Sequence, residues 1–189
     1  MALPATEPFT GTGALSASWT AQTTTSVWQR TAGQAAISNT TDIAGAYWNA
    51  DTFANNQYAQ CNKTGNQSGP SVRAAGTTQA TLDNYHWRNA PANEGLFRTD
   101  DGTSTRLTAI SDAASGALVK ITVSGTTLEI FYDGVSQGTT VDATYASGSA
   151  GIFGYDGSTS RLDNWEGGDV AAAGIAIPIL TRQYRARWN

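Results

Sequence analysis

The chain has 189 residues, of which 40% are hydrophobic and only 14% charged, and its formal net charge is −4. This length suits one all-β domain with a core of its own. The sequence pI of about 4.8 argues against binding to a nucleic-acid backbone, which requires a basic surface. No apolar run approaches the ~18 residues of a membrane span. Residues 1–8 lack the positive and apolar segments of a signal peptide. We therefore expect no nucleic-acid or membrane partner.

Short strands separated by turn residues are predicted through the first half of the chain. Turn signals recur every ~8 to 12 residues, as in a β-sandwich, and no long segment shows helical periodicity. The predicted strands are 9–19, 27–30, 35–37, 46–48, 58–63, 72–74, 85–88, 96–98 and 106–110. The predicted turns are 11–13, Ala32-Gly33, 64–70 and Asp101-Gly102, and the first strand follows the turn at 11–13.

Residues 118–167 show the clearest strand pattern. Val119, Ile121 and Val123 alternate with more polar neighbours, which is the period of a strand with one buried face. Residues 128–132 repeat the alternation. Asp-Gly between two such runs is a strong signal for a type I′ hairpin turn, because both central residues need positive φ. The remaining predicted turns and strands here are Ser124-Gly125, Asp133-Gly134, 152–155 and 161–165.

Several motifs follow one another in a recognisable order: DTFANNQYAQC, SVRAAG, LEIFYDGV, DATYASGSAGIFG and RLDNW. The series resembles the concanavalin A-like lectin and glucanase domains of the laminin G-like branch, over about residues 7 to 168. The resemblance implies an all-β fold, a two-sheet antiparallel jelly-roll sandwich. Such domains often bind carbohydrate and sometimes cleave it, and they also occur on the surfaces of bacterial viruses.

The chain divides into an N-terminal lead (1–8), the sandwich (9–168) and a C-terminal arm (169–189). Residues 170–189 hold three Arg and no acid, which leaves 8 basic and 15 acidic residues, a net charge of −7, before them. The arm is predicted to dock on an acidic surface, with a disordered chain end as the alternative. The residues assigned to docking are Ile177, Ile179, Leu180, Arg182, Tyr184, Arg185, Arg187 and Trp188.

No catalytic residue is predicted. The resemblance implies that a glucanase would carry its acids at alternating positions of one strand. Here Glu129 is followed at the same parity by Phe131 and then Asp133, which places the two acids ~13 Å apart, too far for glycoside hydrolysis. Asp100 and Asp101 are adjacent, so in a strand they would point to opposite faces. We therefore expect a non-catalytic protein, unless acids distant in sequence meet in space.

The single Cys and the single His offer few further alternatives. Cys61 has the parity of a buried apolar residue. His86 is interpreted as a strand residue bonded to a neighbour, with a Cys61–His86 or Ser–His pair as the alternative. Too few ligands are present for a zinc site. Calcium stays open as a cofactor, and the candidate ligands are Asp163, Asp42 and Asp51. The alternative is that these carboxylates accept hydrogen bonds from loop N–H groups.

Aromatic residues are numerous for so polar a chain. Sugar rings stack on aromatic faces while amide groups bond their hydroxyls. Tyr58, Gln60 and Asn62 share the parity opposite to Ala59 and Cys61, so we expect them on an exposed face. The alternative is that the aromatic rings fill the core. The candidate glycan-binding residues are Tyr58, Gln60, Asn62, Trp48 and Trp87.

Three functions fit these observations. The main prediction is a non-catalytic structural protein on the surface of a bacteriophage particle, made in the host cytoplasm. Such a capsid decoration, cement or tail-surface subunit would contact a virion shell or tail protein, or copies of itself. The alternatives are a carbohydrate-binding module for cell-surface glycans and a glycan-cleaving enzyme of the same fold. The absence of paired acids and the basic arm favour the first.

Overall fold

A computed structural model describes residues 3–38, 42–89, 93–155 and 159–171. Sixteen strands and one short 3₁₀ turn, Gln79–Thr81, make up the regular structure of these ranges. No helix within them is long and apolar enough to cross a membrane. The strands β1 to β16 are Ala5–Glu7, Gly13–Ala14, Trp19–Ala21, Trp28–Thr31, Gln34–Ile37, Ile43–Trp48, Gln57–Lys63, Ser68–Ala75, Asp83–Arg88, Gly95–Asp100, Thr103–Ala109, Leu118–Ser124, Thr127–Tyr132, Val135–Val141, Ser149–Tyr155 and Arg161–Asp169.

The strands form two antiparallel sheets that pack face to face. Sheet I has nine strands in the order β14-β13-β12-β7-β16-β5-β4-β2, and β1 also pairs with β16. Sheet II has seven strands in the order β11-β10-β9-β8-β15-β6-β3. The predicted all-β, two-sheet antiparallel sandwich is therefore confirmed. In the middle of sheet I, β7 pairs with both β12 and β16, so residues distant in sequence lie side by side.

The inward-facing side chains of the two sheets form the main core. Val119, Ile121 and Val123 have no exposed surface, which confirms the alternation predicted for this strand. Cys61 is also fully buried, as predicted from its parity, and burial raises the pKa of its thiol. Burying such apolar side chains contributes ~1.5 to 3 kcal/mol each.

Aromatic rings fill one end of this core and connect the two sheets. The ring centroid of Trp165, on β16 of sheet I, lies 4.7 Å from that of Trp19 and 5.4 Å from that of Trp48, both on sheet II. Phe9 packs on Trp19 at 5.9 Å. The Nε1–H of Trp165 donates to the carbonyl of Gly151 at 3.0 Å. Trp165 thus contributes both apolar area and a hydrogen bond across the sandwich.

The N-terminal region departs from the predicted strands. Gly11 (φ 84°) and Gly13 (φ 120°) have the positive φ expected of the predicted turn at 11–13. The single strand predicted from this turn to Trp19 is wrong, because Gly13–Ala14 pairs in sheet I and Trp19–Ala21 pairs in sheet II. Upstream, Ala5 pairs with Gly167 in sheet I, and Ala5 is only 1% exposed. A strand therefore forms inside the segment predicted as a lead.

Three of the predicted tight turns join consecutive antiparallel strands as expected. Asp133 (φ 50°) and Gly134 (φ 82°) connect β13 to β14, and Ala32 (φ 52°) and Gly33 (φ 83°) connect β4 to β5. Positive φ at both central residues is the signature of a type I′ turn. Asp101 and Gly102 make the corresponding turn from β10 to β11.

Two other turn predictions are wrong by a few residues. Ser124 belongs to β12 and pairs with Thr127, so the turn is formed by Gly125 and Thr126 instead. The loop predicted at 64–70 is shorter, because β8 begins at Ser68. In both cases a polar residue that is common in turns occupies a strand position.

Replacing Gly134 with Val should lower the free energy of unfolding by about 1 kcal/mol or more, because a β-branched residue tolerates positive φ poorly. No atom lies within 4 Å of a Cβ built at this position, so the backbone conformation alone causes the loss. Gly134→Asn is the matched control, since Asn adopts this conformation more readily. Chemical unfolding measures both. Equal stability of the Val variant and the wild type would contradict the turn assignment.

Candidate functional site

The outer face of sheet I carries the exposed residues predicted on β7. Along Gln57–Lys63, buried side chains alternate with half-buried ones. Tyr58, Gln60 and Asn62 are the half-buried set, whereas Ala59 and Cys61 have no exposed surface. The predicted parity is confirmed. A role of the three outward residues in glycan binding stays a prediction.

A β-bulge in the neighbouring strand β16 adds polar residues to this face. Asp163 pairs with Asn62 and Glu166 pairs with Gln60, so two residues of β16 oppose a single residue of β7. Asn164 takes a left-handed conformation with φ 48°, and its N–H donates to the Asp163 carboxylate at 2.8 Å. Bulges of this kind change the face to which the following side chains point.

The bulge reverses the alternation of β16. Trp165 enters the core and is 1% exposed, while Asn164 and Glu166 on either side of it remain accessible. The sequence predicted the strand but not the bulge. The adjacent polar residues Asp163 and Asn164 before a core Trp are the local signal that could have indicated it, because a regular strand would point one of them inward.

Glu166 is the centre of the polar contacts on this face. Its Oε1 accepts hydrogen bonds from the Tyr58 hydroxyl at 2.7 Å and from the Gln60 amide at 3.1 Å. Burial, and then the bond to Glu166, raise the pKa of Tyr58, which keeps the phenol a neutral donor. The other oxygen, Oε2, accepts no hydrogen bond from the residues that the structure describes. Glu166 therefore retains a free acceptor.

Amide side chains extend the polar surface beside Glu166. The Asn164 amide donates to Asn62 Oδ1 at 3.2 Å, and the Asn62 amide donates to the carbonyl of Gly116 at 3.0 Å. Each amide holds its neighbour in place and leaves further donor and acceptor positions unused.

These residues line a cleft of about 400 Å³. One wall is formed by β1 and the residue after it, and apolar contacts come from Pro8, Leu118 and Trp165. Glu7 and Glu166 are the charged residues of the lining, so the cleft is negative. The lining residues are Thr6, Glu7, Pro8, Gln60, Asn62, Leu118, Asn164, Trp165 and Glu166.

The ring of Tyr58 is covered rather than free. The Lys120 ammonium lies 4.0 Å from the ring centroid, a cation–π distance. On β16 the ring lies against Gly168, where an added Cβ would come within 2.8 Å of it. Tyr58 therefore directs its hydroxyl to Glu166, and stacking of a sugar on its face would require Lys120 to move.

Two predicted glycan-binding residues are wrong. Trp48 is 3% exposed and its Nε1–H donates to the Asp51 carboxylate at 2.8 Å. Trp87 has no exposed surface and packs edge-on against Tyr132, with 5.6 Å between ring centroids. Both fill the core, so neither ring reaches a surface glycan.

The predicted calcium site is not formed by its three candidates. Asp42 accepts from the N–H of Ile43 at 2.8 Å, Asp51 accepts from Trp48, and Asp163 accepts from its own neighbour. In the described ranges no three His, Cys, Asp or Glu side chains come together in a way that could hold a metal ion. These three carboxylates accept hydrogen bonds from nearby N–H groups, as the alternative interpretation predicted.

His86 forms no pair with Cys61, because the two lie in different sheets and only Cys61 belongs to the main core. The imidazole stacks between Phe153 and Phe97, with centroid distances of 3.6 and 5.4 Å. Its Nδ1 bonds Asn84 Oδ1 at 2.8 Å. The interpretation of His86 as a strand residue bonded to a neighbour is confirmed.

The outer face of sheet II around His86 is closed to solvent. Asn84 and His86 have no exposed surface, and Arg88 is 9% exposed. The atoms Ser71 Oγ, Asn84 Nδ2, His86 Nε2 and Arg88 Nε are buried there without hydrogen-bond partners. Buried polar atoms without partners lower the stability of the fold. A ligand in solvent cannot reach them, whereas it can reach the cleft on sheet I.

The stability of the domain should fall as the pH drops from 7 to 5, because burial, and then Arg88, hold the pKa of His86 well below its usual 6.5. The unfolded chain takes up a proton in this range and the folded chain does not, so protonation favours unfolding by up to about 2 kcal/mol at pH 5. His86 is the only histidine. His86→Phe should flatten the dependence of unfolding free energy on pH. Parallel profiles for the two proteins would contradict this assignment.

No protein-family model and no curated protein sequence matches the chain. Solved structures do. The carbohydrate-binding module CBM66 from Bacillus subtilis superposes with a TM-score of 0.56 at 13% identity, covering 81% of this chain and 93% of its own. The potassium-bound carbohydrate recognition domain of Emp46p gives 0.53 at 8% identity, covering 82% and 90%.

A structure reported for endo-acting O-glycanases of the human gut microbiota gives a TM-score of 0.51 at 8% identity, covering 88% of this chain and 98% of its own. At these identities the likeness shows the fold. The chain has the lectin-like β-sandwich architecture that the concanavalin A-like resemblance implies.

Proposed function

We propose that this domain is a non-catalytic carbohydrate-binding module whose glycan surface is the cleft on the outer face of sheet I. The observation that carries the proposal is the bulge in β16. It places Asn164 and Glu166 beside Gln60 and Asn62, so that side chains from two strands line one cleft.

The chemistry of the cleft suits neutral, hydroxyl-rich sugars. A sugar hydroxyl can donate to Glu166 Oε2 and accept from an amide N–H of Gln60 or Asn164, and bonds to a charged group are the stronger ones. Leu118 and Pro8 supply apolar surface for the C–H face of a pyranose. The negative lining disfavours acidic sugars.

The comparisons support binding as the activity. Two of the similar structures are named as a carbohydrate-binding module and a carbohydrate recognition domain. The carboxylates of the cleft are also engaged in structural contacts. Glu7 accepts from the N–H of Phe9 at 3.0 Å, and Glu166 accepts from Tyr58 and Gln60. A hydrolase would need one carboxyl as acid and another as nucleophile or base.

Glu166→Gln should weaken binding of a neutral oligosaccharide about tenfold or more, since a hydrogen bond to a charged group contributes ~1.5 to 3 kcal/mol. Gln60→Ala should weaken it severalfold, since a bond between neutral groups contributes ~0.5 to 1.5 kcal/mol. The oligosaccharide is chosen from an array of neutral glycans, and its affinity is then measured by titration calorimetry. Release of reducing ends during incubation is followed in parallel.

The matched controls lie on the same sheet but outside the cleft. Glu129 faces Ser136 on the neighbouring strand and Gln137 is exposed on β14, so Glu129→Gln and Gln137→Ala should leave the affinity unchanged. Equal losses in cleft and control variants would contradict the assigned surface. If wild type releases reducing ends and Glu166→Gln does not, the function is hydrolysis and not binding alone.

A second candidate function is a structural subunit on the surface of a bacteriophage particle. It is favoured by the composition of residues 170–189, which hold three Arg and no acid. β16 ends at Asp169, whose carboxylate accepts from the N–H of Ala54 at 2.8 Å. The predicted docking residues lie outside the described residues: Ile177, Ile179, Leu180, Arg182, Tyr184, Arg185, Arg187 and Trp188.

Removing residues 172–189 should leave the unfolding temperature unchanged, because the two sheets and their core are complete within the residues that the structure describes, up to β16. If the arm docks on other copies of this chain, light scattering should show that the full chain self-associates and that the shortened chain is a monomer. Salt should weaken the association in part through the arginines. If the full chain is a monomer, the arm does not dock on other copies of the chain. A lower unfolding temperature after truncation would assign the arm to the domain itself.

A further inference from the structure

A buried arginine joins three loops at one end of the sandwich. Arg73 is 3% exposed. Its Nε and Nη2 donate to the carbonyl of Asn55 at 3.2 and 2.9 Å, Nη2 also donates to that of Gly125 at 2.7 Å, and Nη1 donates to that of Tyr145 at 2.5 Å. The guanidinium thus connects the loop before β7, the turn after β12 and the loop before β15.

The backbone around Arg73 is shaped to hold it there. Arg73 has a left-handed conformation with φ 51°, which costs free energy in a non-glycine residue. Gln57 Oε1 accepts from the Arg73 N–H at 3.1 Å, and the Gln57 amide donates to the carbonyl of Gly148 at 2.9 Å. A Cβ at Gly148 would lie 2.5 Å from the carbonyl carbon of Arg73. Gly148 is therefore required for the two segments to meet.

The charge of Arg73 has no counter-charge among the residues that the structure describes. All its hydrogen bonds are to backbone carbonyls. The carboxylate of Asp142, which precedes the cavity residue Ala143 in the chain, is already held by Tyr85 at 2.7 Å and Arg98 at 2.8 Å. Burial of the guanidinium lowers the pKa of Arg73, which reflects the cost of placing an unpaired cation away from water.

Arg73 lines a cavity of about 310 Å³. The lining contains no carboxylate, so its charge is positive. One N–H of Nη1 is not used in the carbonyl bonds, and the Thr126 hydroxyl and two Asn amides provide further donors. The lining residues are Asn55, Asn56, Arg73, Gly125, Thr126, Ala143, Tyr145 and Ala146.

We propose that this cavity binds an anionic group of an acidic glycan, either the carboxylate of a uronic acid or a sulfate ester. The anion would supply the counter-charge that Arg73 lacks and accept from the free Nη1–H and the neighbouring hydroxyl and amide donors. The site shares no residue with the cleft on sheet I and has the opposite charge. It is therefore a second binding site. Its preference for an anion does not depend on the function proposed for the cleft, whereas the choice of a glycan as the carrier of that anion rests on it.

The test changes the charge at the cavity without touching Arg73, whose removal would release three loops. Ala143 is exposed and lines the cavity, so Ala143→Asp and Ala143→Lys should fold normally. Ala114, equally exposed but outside the lining, gives the control Ala114→Asp. The probes are glucuronic acid, glucose 6-sulfate and glucose, and the readout is the change of NMR amide shifts on titration.

At the amides of the cavity residues, wild type should respond to an anionic probe and not to glucose, with weaker binding as salt is added. Ala143→Asp should weaken binding about tenfold and Ala143→Lys should tighten it severalfold, as expected for one charge close to the ligand. Ala114→Asp and Glu129→Gln should leave it unchanged, because both residues lie outside the cavity. Preference for glucuronic acid or for the sulfate identifies which anionic group is recognised. Equal binding of glucose and glucuronic acid at the cavity amides, no binding of either anionic probe there, or an unchanged affinity in Ala143→Asp would overturn the proposal.

Discussion

The insertion of one extra residue in β16 against β7 determines both the core and the outer surface of sheet I. Without the bulge, the alternation that buries Leu162 would turn Trp165 outward. With it, Trp165 packs on Trp19 and Trp48 and bonds the backbone of sheet II. The same reversal places Glu166 next to Gln60. The packing of the aromatic end and the polar lining of the cleft therefore have one structural cause.

Much of the fold could be predicted because strand alternation and tight turns are local properties of the sequence. The pattern of Val119, Ile121 and Val123 is sufficient to assign a buried face, and Asp133-Gly134 is sufficient to assign a hairpin. The pairing of β7 with β16 joins residues about a hundred positions apart. No local pattern specifies such a pairing, which depends on how the two sheets bury their apolar faces together.

The candidate site could be predicted only in part, for related reasons. The parity of Tyr58 and Gln60 indicated the exposed face, but Glu166 joins them only through the bulge. Aromatic residues were harder to place, because Trp87 is equally suited to a core or a binding surface. The role of Arg73 was not indicated at all. Its contacts are backbone carbonyls of three separate loops, and no residue type in the sequence marks a carbonyl as a partner.

The full burial of Cys61 makes this thiol a reporter of opening of the sandwich. Its side chain has no exposed surface in the core, and burial raises the pKa of the thiol, so a thiol reagent meets neither an accessible sulfur nor a thiolate in the native state. Alkylation must wait until the sheets separate. Because the chain contains a single cysteine, the labelling rate at low denaturant measures the population of opened molecules directly, without an introduced probe.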